Sequence, residues 1–208
     1  MKNKIESHVC VIRETFNRID IKEKDKSNQN VEMIKDFQHA VISFVNYWKA
    51  VEAIKPLEKS KGFKDADTYI RNTYLERERE SQINKYRMLR YSFYEVKNKI
   101  VAIILYGQKN GIYEYAYSAD RWNNISKDFD IIEKIVKDAK EQEKKRWKKI
   151  ESKCGSLDNL SAEELSYATE PYYEMFGTME TLVIVEEFMS FIIDFNASIM
   201  NHIEDLDN

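Results

Sequence analysis

Glycine and proline, the residues that most often interrupt a helix, are scarce in this chain. Five glycines and two prolines are distributed over 208 residues. A fold with many tight turns needs more of both, because glycine supplies positive φ angles and proline presets turn geometry. The chain is also 43% hydrophobic and 33% charged, as expected of a protein with one buried core and a well-solvated surface. Few breakers and many charged residues predict long helices with little or no sheet.

Apolar residues recur at spacings of three and four along most of the sequence, which is the pattern of amphipathic helices. The predicted helices cover residues 4–19, 31 to the residue before Pro56, 65–107, 126–155 and about 171 to the end. Ser161 and Glu164 form a capping-box pattern that predicts one further short helix. The sequence therefore predicts an all-α fold: a single up-and-down bundle of about four long helices plus one or two short ones, with residues 1–208 forming one helical domain.

The targeting and redox signals in the sequence are few. No apolar run reaches the roughly 18 residues that a membrane span requires, and the charged residues at the N-terminus leave no apolar signal region. Cys10 and Cys154 are too few for a disulfide framework and too far apart for a metal knuckle. These features predict a cytoplasmic protein that does not enter a membrane. The abundance of Lys, Ile, Asn and Tyr is typical of AT-rich bacterial or phage genomes.

Charge is divided unevenly along the chain. Residues 155–208 carry 12 of the 36 acidic side chains and none of the 33 lysines and arginines, so this segment has a net charge of −12 and residues 1–154 have +9. A separation of this size requires a cationic partner for the acidic segment. The candidates are the basic part of the same chain, a second copy of the chain, a metal ion, and another cationic surface.

The last predicted helix carries an acidic stripe. Glu180, Glu187, Asp194 and Asn201 follow one another at seven-residue steps, which return to nearly the same helix face. The stripe is either a solvent face, a pairing face for basic helices in the same or another copy, or part of a Mg²⁺ or Mn²⁺ site completed by a second helix. Otherwise no cofactor is indicated. Helical pyrophosphatases of the MazG type use Glu-x-x-Glu for such a metal, a motif that this sequence lacks.

Two basic clusters are candidates for a nucleic-acid surface. Cationic side chains neutralise phosphates, and aromatic rings stack on unpaired bases. The candidate residues are Arg79, Arg87, Arg90, Tyr91, Tyr94, Lys144, Lys145, Lys148 and Lys149. The competing interpretation is that these residues solvate helices or pair with the acidic stripe. Helical ribonucleases of the HEPN type carry an Arg followed four to six residues later by a His, and no Arg here precedes a His at that distance.

An aromatic stretch follows Gly111. Tyr113, Tyr115 and Tyr117 alternate with other residues, which predicts an extended segment, and Arg121 and Trp122 follow. Exposed Tyr, Trp and Arg are favoured at protein interfaces because they bury a large area at a small entropic cost. These five residues are therefore candidates for binding a partner. The alternative is a hydrophobic plug at the end of the bundle.

The residues favour binding over catalysis. No two glycines lie close enough to form a phosphate-binding loop, and no histidine has an Arg, Cys or second His at a catalytic or ligand spacing. We expect a non-catalytic helical binding or regulatory protein that acts through protein–protein contacts, either as a homodimer or by docking on another protein as an inhibitor or immunity factor. The alternative is an all-α protein that processes nucleic acid or nucleotides, of a degenerate HEPN-like or metal-dependent MazG-like kind.

Overall fold

The computed structural model describes residues 1–16, 29–54, 68–116, 118–154 and 178–206. These residues form six α-helices and contain no strand, so the predicted all-α fold is confirmed for them. The helices are α1 Lys2–Phe16, α2 Gln29–Glu52, α3 Thr68–Asn110, α4 Tyr113–Ala116, α5 Ala119–Cys154 and α6 Met179–Leu206. The predicted short helix at Ser161 and the predicted helix start near Pro171 lie outside the described residues. None of the described helices combines the length and apolarity that crossing a bilayer demands.

The core lies between α1, α2, α3 and α6. Each helix contributes apolar residues at three- and four-residue spacing; Val9 and Ile12 of α1 and Phe37 and Val41 of α2 are completely or almost completely buried. Phe188 of α6 sits at the centre of the core. Its ring lies 5.2 Å from that of Phe44 in α2, 5.1 Å from that of Phe93 in α3 and 6.3 Å from that of Trp122 in α5. Edge-to-face contacts at such distances stabilise beyond simple area burial.

One polar pair lies within this core. The Gln38 side-chain amide donates a hydrogen bond of 3.1 Å to the Asn196 side-chain oxygen, and both residues are buried. The bond links α2 to α6. A buried amide left without a partner costs about 1–3 kcal/mol, so the pair favours one alignment of the two helices.

The long helix α3 ends in a glycine cap. Gly111 has a φ of 69°, a left-handed conformation that glycine adopts without steric cost. The Ile112 N–H donates to the Gly107 carbonyl at 2.9 Å, which is the six-to-one bond of a Schellman cap. Gly107 was expected to help end the helix and instead lies inside it. The run Glu76 to Gln82, which has no apolar residue, is also helical throughout.

Helix α5 begins earlier than the sequence predicted. The helix was expected near Ser126, but it starts at Ala119, where the Trp122 N–H donates to the Ser118 carbonyl at 3.0 Å. Trp122 and Ile125 are buried and continue the apolar stripe of α5 toward its N-terminus. At the start of α6 the Thr178 hydroxyl accepts a 3.2 Å hydrogen bond from the Thr181 N–H, as an N-cap side chain does.

Candidate binding surface

The aromatic stretch after Gly111 is helical, so the predicted extended segment is wrong. Residues Tyr113–Ala116 form the single turn α4, which packs against α3 and α6. A Cβ at position 107 would overlap the Cβ of Tyr115; glycine at this position therefore lets α4 lie directly on α3. Tyr113 and Tyr115 therefore belong to one helical turn, in which the Tyr115 side chain is the buried one.

Four of the five aromatic-stretch candidates lie in the described part of the chain, and these four are divided between core and surface. Tyr115 is completely buried and Trp122 is 4% exposed, which is the plug arrangement. Tyr113 is 74% exposed. Arg121 is also exposed, and its guanidinium donates to the Asp194 carboxylate and lies 5.6 Å from the centre of the Phe191 ring. Tyr117 is outside the described residues.

Tyr115 anchors a small polar group beside the core. The Asn30 amide donates to its hydroxyl at 3.4 Å, and the His202 ring packs edge-on at 5.3 Å. The Nδ1 atom of His202 lies 3.5 Å from the Glu114 carboxylate. Burial raises the pKa of the Tyr115 hydroxyl above its ordinary value, while the Asn30 hydrogen bond partly opposes the shift. The arrangement holds α4 against α2 and α6.

Acidic residues of α6 have ion-pair partners in α1 and α5. Glu186, next to the stripe, lies 3.3 Å from His8 and 3.9 Å from Lys4, and Asp194 pairs with Arg121. Glu180 and Glu187 are exposed. Among the described residues, no three His, Cys, Asp or Glu side chains gather as metal ligands would. Two acids of other helices, Asp36 of α2 and Asp130 of α5, pair with lysines of α3, Asp36 with Lys99 and Asp130 with Lys97.

The basic clusters do not contact the described acids of α6. Arg87 and Arg90 are exposed on α3, where Arg87 donates to Asn84 at 2.6 Å and Arg90 lies 5.6 Å from the Tyr94 ring centre. The described wall of a depression of about 570 Å³ includes Arg77 and Arg87. The side chain of Arg79 is outside the described part. Lys144, Lys145, Lys148 and Lys149 are exposed on α5.

One side of α3 carries three of the six large hydrophobic side chains that are exposed in the described part of the chain. We call this surface the outer α3 face and define it by Tyr91, Tyr94, Asn98, Val101 and Leu105. Tyr91 is 62%, Leu105 58% and Val101 37% exposed. The core residues of α3, among them Leu89, Val96, Ile100 and Ile103, fall on the opposite side of the helix. The outer α3 face is therefore not the side by which α3 packs into the core.

Sequence reasoning found only part of this face. Tyr91 and Tyr94 were candidates for nucleic-acid contacts, whereas Val101 and Leu105 were not among the predicted binding residues. The available signal was the spacing. Tyr91, Asn98 and Leu105 lie seven residues apart, and this series is displaced by half a helical turn from the buried series that includes Val96 and Ile103.

Comparison of the chain with family models, with curated proteins and with solved structures finds no match in any of the three.

Proposed function

We propose that this protein is a non-catalytic helical binding protein that contacts another protein through the outer α3 face. The observation that carries the proposal is the exposure of Tyr91, Val101 and Leu105 on the side of α3 opposite the core. Single exposed apolar residues are common, but a contiguous apolar strip on one face marks a contact surface. Tyrosine is enriched at such contacts because its ring buries a large area with few rotatable bonds.

The composition of the strip supports a protein as the partner. Val101 and Leu105 offer only apolar surface, which gains free energy when it is removed from water against another apolar surface. Glu95 is exposed beside the strip and would repel a phosphate backbone. A helix or a second apolar face supplies the matching surface for a strip of this shape, as in helix-in-groove recognition.

Photo-crosslinking in cells tests the proposal. A photoreactive amino acid is placed at Leu105, and the matched control carries it at Tyr113, which is more exposed but lies on α4. We expect light-dependent protein adducts of defined mass from position 105 and none from position 113. If position 105 gives no adduct, or only adducts that nuclease removes, the outer α3 face is not a protein contact.

A second candidate function is single-stranded nucleic-acid binding, and one observation favours it. The described α6 acids pair with Lys4, His8 and Arg121, none of which belongs to the two basic clusters. The test is retention of single-stranded RNA or DNA at low salt, which should weaken steeply as salt rises. The double substitution Arg87→Glu and Arg90→Glu should abolish this retention, whereas Lys2→Glu at the far end of the chain should not. Equal retention by both variants would exclude this face.

A further inference from the structure

The outer α3 face has the residue spacing of a coiled-coil seam. Its members follow one another at steps of three, four, three and four residues, from Tyr91 through Tyr94, Asn98 and Val101 to Leu105. In heptad notation Tyr91, Asn98 and Leu105 take the a positions, and Tyr94 and Val101 take the d positions. Seams of this kind form between helices whose a and d side chains interlock as knobs into holes. The spacing thus specifies a helix as the surface that covers the strip.

The charges that border the seam match a second copy of the same helix. With Tyr91 at a, Arg90 takes a g position and Glu95 the following e position. In a parallel pair each g residue lies beside the e residue of the partner's next heptad. Arg90 of each copy would therefore meet Glu95 of the other copy, which gives two such contacts. In an antiparallel pair g residues instead face g residues and e residues face e residues, so Arg90 and Glu95 would not meet. The charges therefore favour a parallel arrangement.

Asn98 supports the same register. A single Asn at an a position fixes the register and the number of helices in a coiled coil, because it must meet its counterpart to satisfy its hydrogen bonds. Asn98 is exposed and lies at the centre of the seam. An Asn at the matching position of the partner offers Asn98 both a donor and an acceptor, and an in-register second copy presents one by symmetry.

From these observations we infer that two copies of this chain associate through the outer α3 face, with their α3 helices parallel and in register about a two-fold axis. The inference rests on the proposed function in treating the face as a protein contact, and it goes further by naming the partner and its orientation. Arg90 and Glu95 determine which partner is accepted, while Tyr91, Val101 and Leu105 supply the apolar area.

Sedimentation of the full chain provides the first test. We expect the wild type to be a dimer at micromolar concentration. Leu105→Glu should weaken the dimer by roughly a hundredfold or more because it places two carboxylates in an apolar layer. The control is Tyr113→Glu, which changes an exposed aromatic residue off the face and should leave the dimer intact. Tyr91→Ala provides a second variant should Leu105→Glu prove unfolded by circular dichroism. A wild type that remains monomeric at tens of micromolar would overturn the inference.

A charge-exchange experiment tests the partner assignment. Arg90→Glu and Glu95→Arg each create two like-charged contacts in a homodimer and should weaken it roughly tenfold. A one-to-one mixture of the two variants should associate as the wild type does, because both g–e pairs are then of opposite charge. Failure of the mixture to recover association would rule out the g–e contact and with it the parallel arrangement.

Disulfide trapping tests orientation directly. In a background with Cys10 and Cys154 replaced by serine, Tyr91→Cys and Leu105→Cys should each form a homodimeric disulfide, because equivalent positions face each other in a parallel pair. A mixed disulfide between positions 91 and 105 would show an antiparallel pair and overturn the inference.

The homodimer and the proposed function can be refuted separately. A monomeric chain whose position 105 crosslinks to a protein of another mass refutes only the homodimer, and the absence of any protein adduct refutes both.

Discussion

At the scale of single residues, burial decided which aromatic side chains remain available to a partner. Tyr113 and Tyr115 lie two residues apart and are of the same type, yet one is 74% exposed and the other completely buried. No property of either residue alone separates them. Gly107 makes the difference, since it lets the backbone of α4 approach α3 at Tyr115. Sequence spacing identified the aromatic stretch, but which tyrosine points inward depends on the packing of α4 against α3 at Gly107.

Replacing Tyr115 by Phe should alter stability at alkaline pH. Burial raises the pKa of Tyr115 in the folded protein above its ordinary value of 10.0. The unfolded chain therefore releases this proton first as pH rises, so the folding stability contributed by the neutral hydroxyl is complete below pH 10 and declines above it. Tyr115→Phe should lower the free energy of unfolding by about 1 kcal/mol at neutral pH, because it removes the hydrogen bond from Asn30. Above pH 10 the stability of this variant should decline less than that of the wild type. Urea melts from neutral pH upward measure both effects.

Tyr113→Phe is the matched control for this prediction. Tyr113 is 74% exposed, so its substitution removes the same hydroxyl group from the surface and leaves the buried site at Tyr115 intact. Lys49 also has a pKa above its ordinary value, because Glu52 and, to a lesser extent, Glu6 accept hydrogen bonds from its ammonium group. The stability that Lys49 contributes is likewise lost as pH rises. Because Lys49 is present in the wild type and in both variants, this loss is common to all three proteins. An alkaline decline equal in wild type and Tyr115→Phe would contradict the burial argument.

At the scale of secondary-structure elements, the sequence predicted the existence and type of the long helices better than their ends. The apolar stripes of α1, α2, α3, α5 and α6 were recognisable because each faces one core. The start of α5 was predicted too late, near Ser126, although Trp122 and Ile125 continue the helical spacing of Ile132 toward Ala119. The single turn α4 has no periodic signal of its own. Its conformation depends on the close approach to Gly107, which one local pattern cannot reveal.

Gly107→Ala should displace α4 from α3. A Cβ at this position would overlap Tyr115 and lie 3.1 Å from the Ile112 carbonyl oxygen and 3.3 Å from the Ala116 nitrogen. Overpacking against backbone typically costs about 1–3 kcal/mol, which exceeds the gain of up to about 1 kcal/mol from alanine's higher helix propensity. We therefore expect a net loss of stability in urea melts. The near-ultraviolet signal of Tyr115 should also change, because its side chain becomes more exposed.

Gly111→Ala separates packing from backbone strain. No atom lies within 4 Å of the Cβ that this substitution would add, but the φ of 69° at Gly111 is unfavourable for alanine. The expected cost is about 1–2 kcal/mol from the left-handed conformation alone, with the environment of Tyr115 unchanged. If Gly107→Ala were as stable as the wild type, the close packing of α4 on α3 would be refuted.

At the scale of the whole molecule, the unequal distribution of charge predicted a partner for the acidic segment but not its identity. The described α6 acids pair with Lys4 and His8 at one end of the chain and with Arg121 of α5. Neither of the two dense basic clusters takes part in these pairs. Ion-pair partners depend on which helices the core brings side by side, and composition does not contain that information. Side chains of both basic clusters and of the outer α3 face, among them Arg87, Lys144 and Leu105, are exposed.

The Arg121–Asp194 pair tests whether the acidic helix is neutralised within one chain or between two. Both side chains are about half exposed, 47% and 60%, so the pair should contribute no more than about 1 kcal/mol at low salt and less at high salt. Arg121→Glu should lower stability at low salt, and adding Asp194→Arg should recover part of the loss. Recovery is incomplete because the contact of Arg121 with Phe191 is not restored.

Urea melts of these variants at low and high salt measure the effects. For a pair within one chain, the difference between the variants is independent of protein concentration, whereas a pair between two copies would make it grow with concentration.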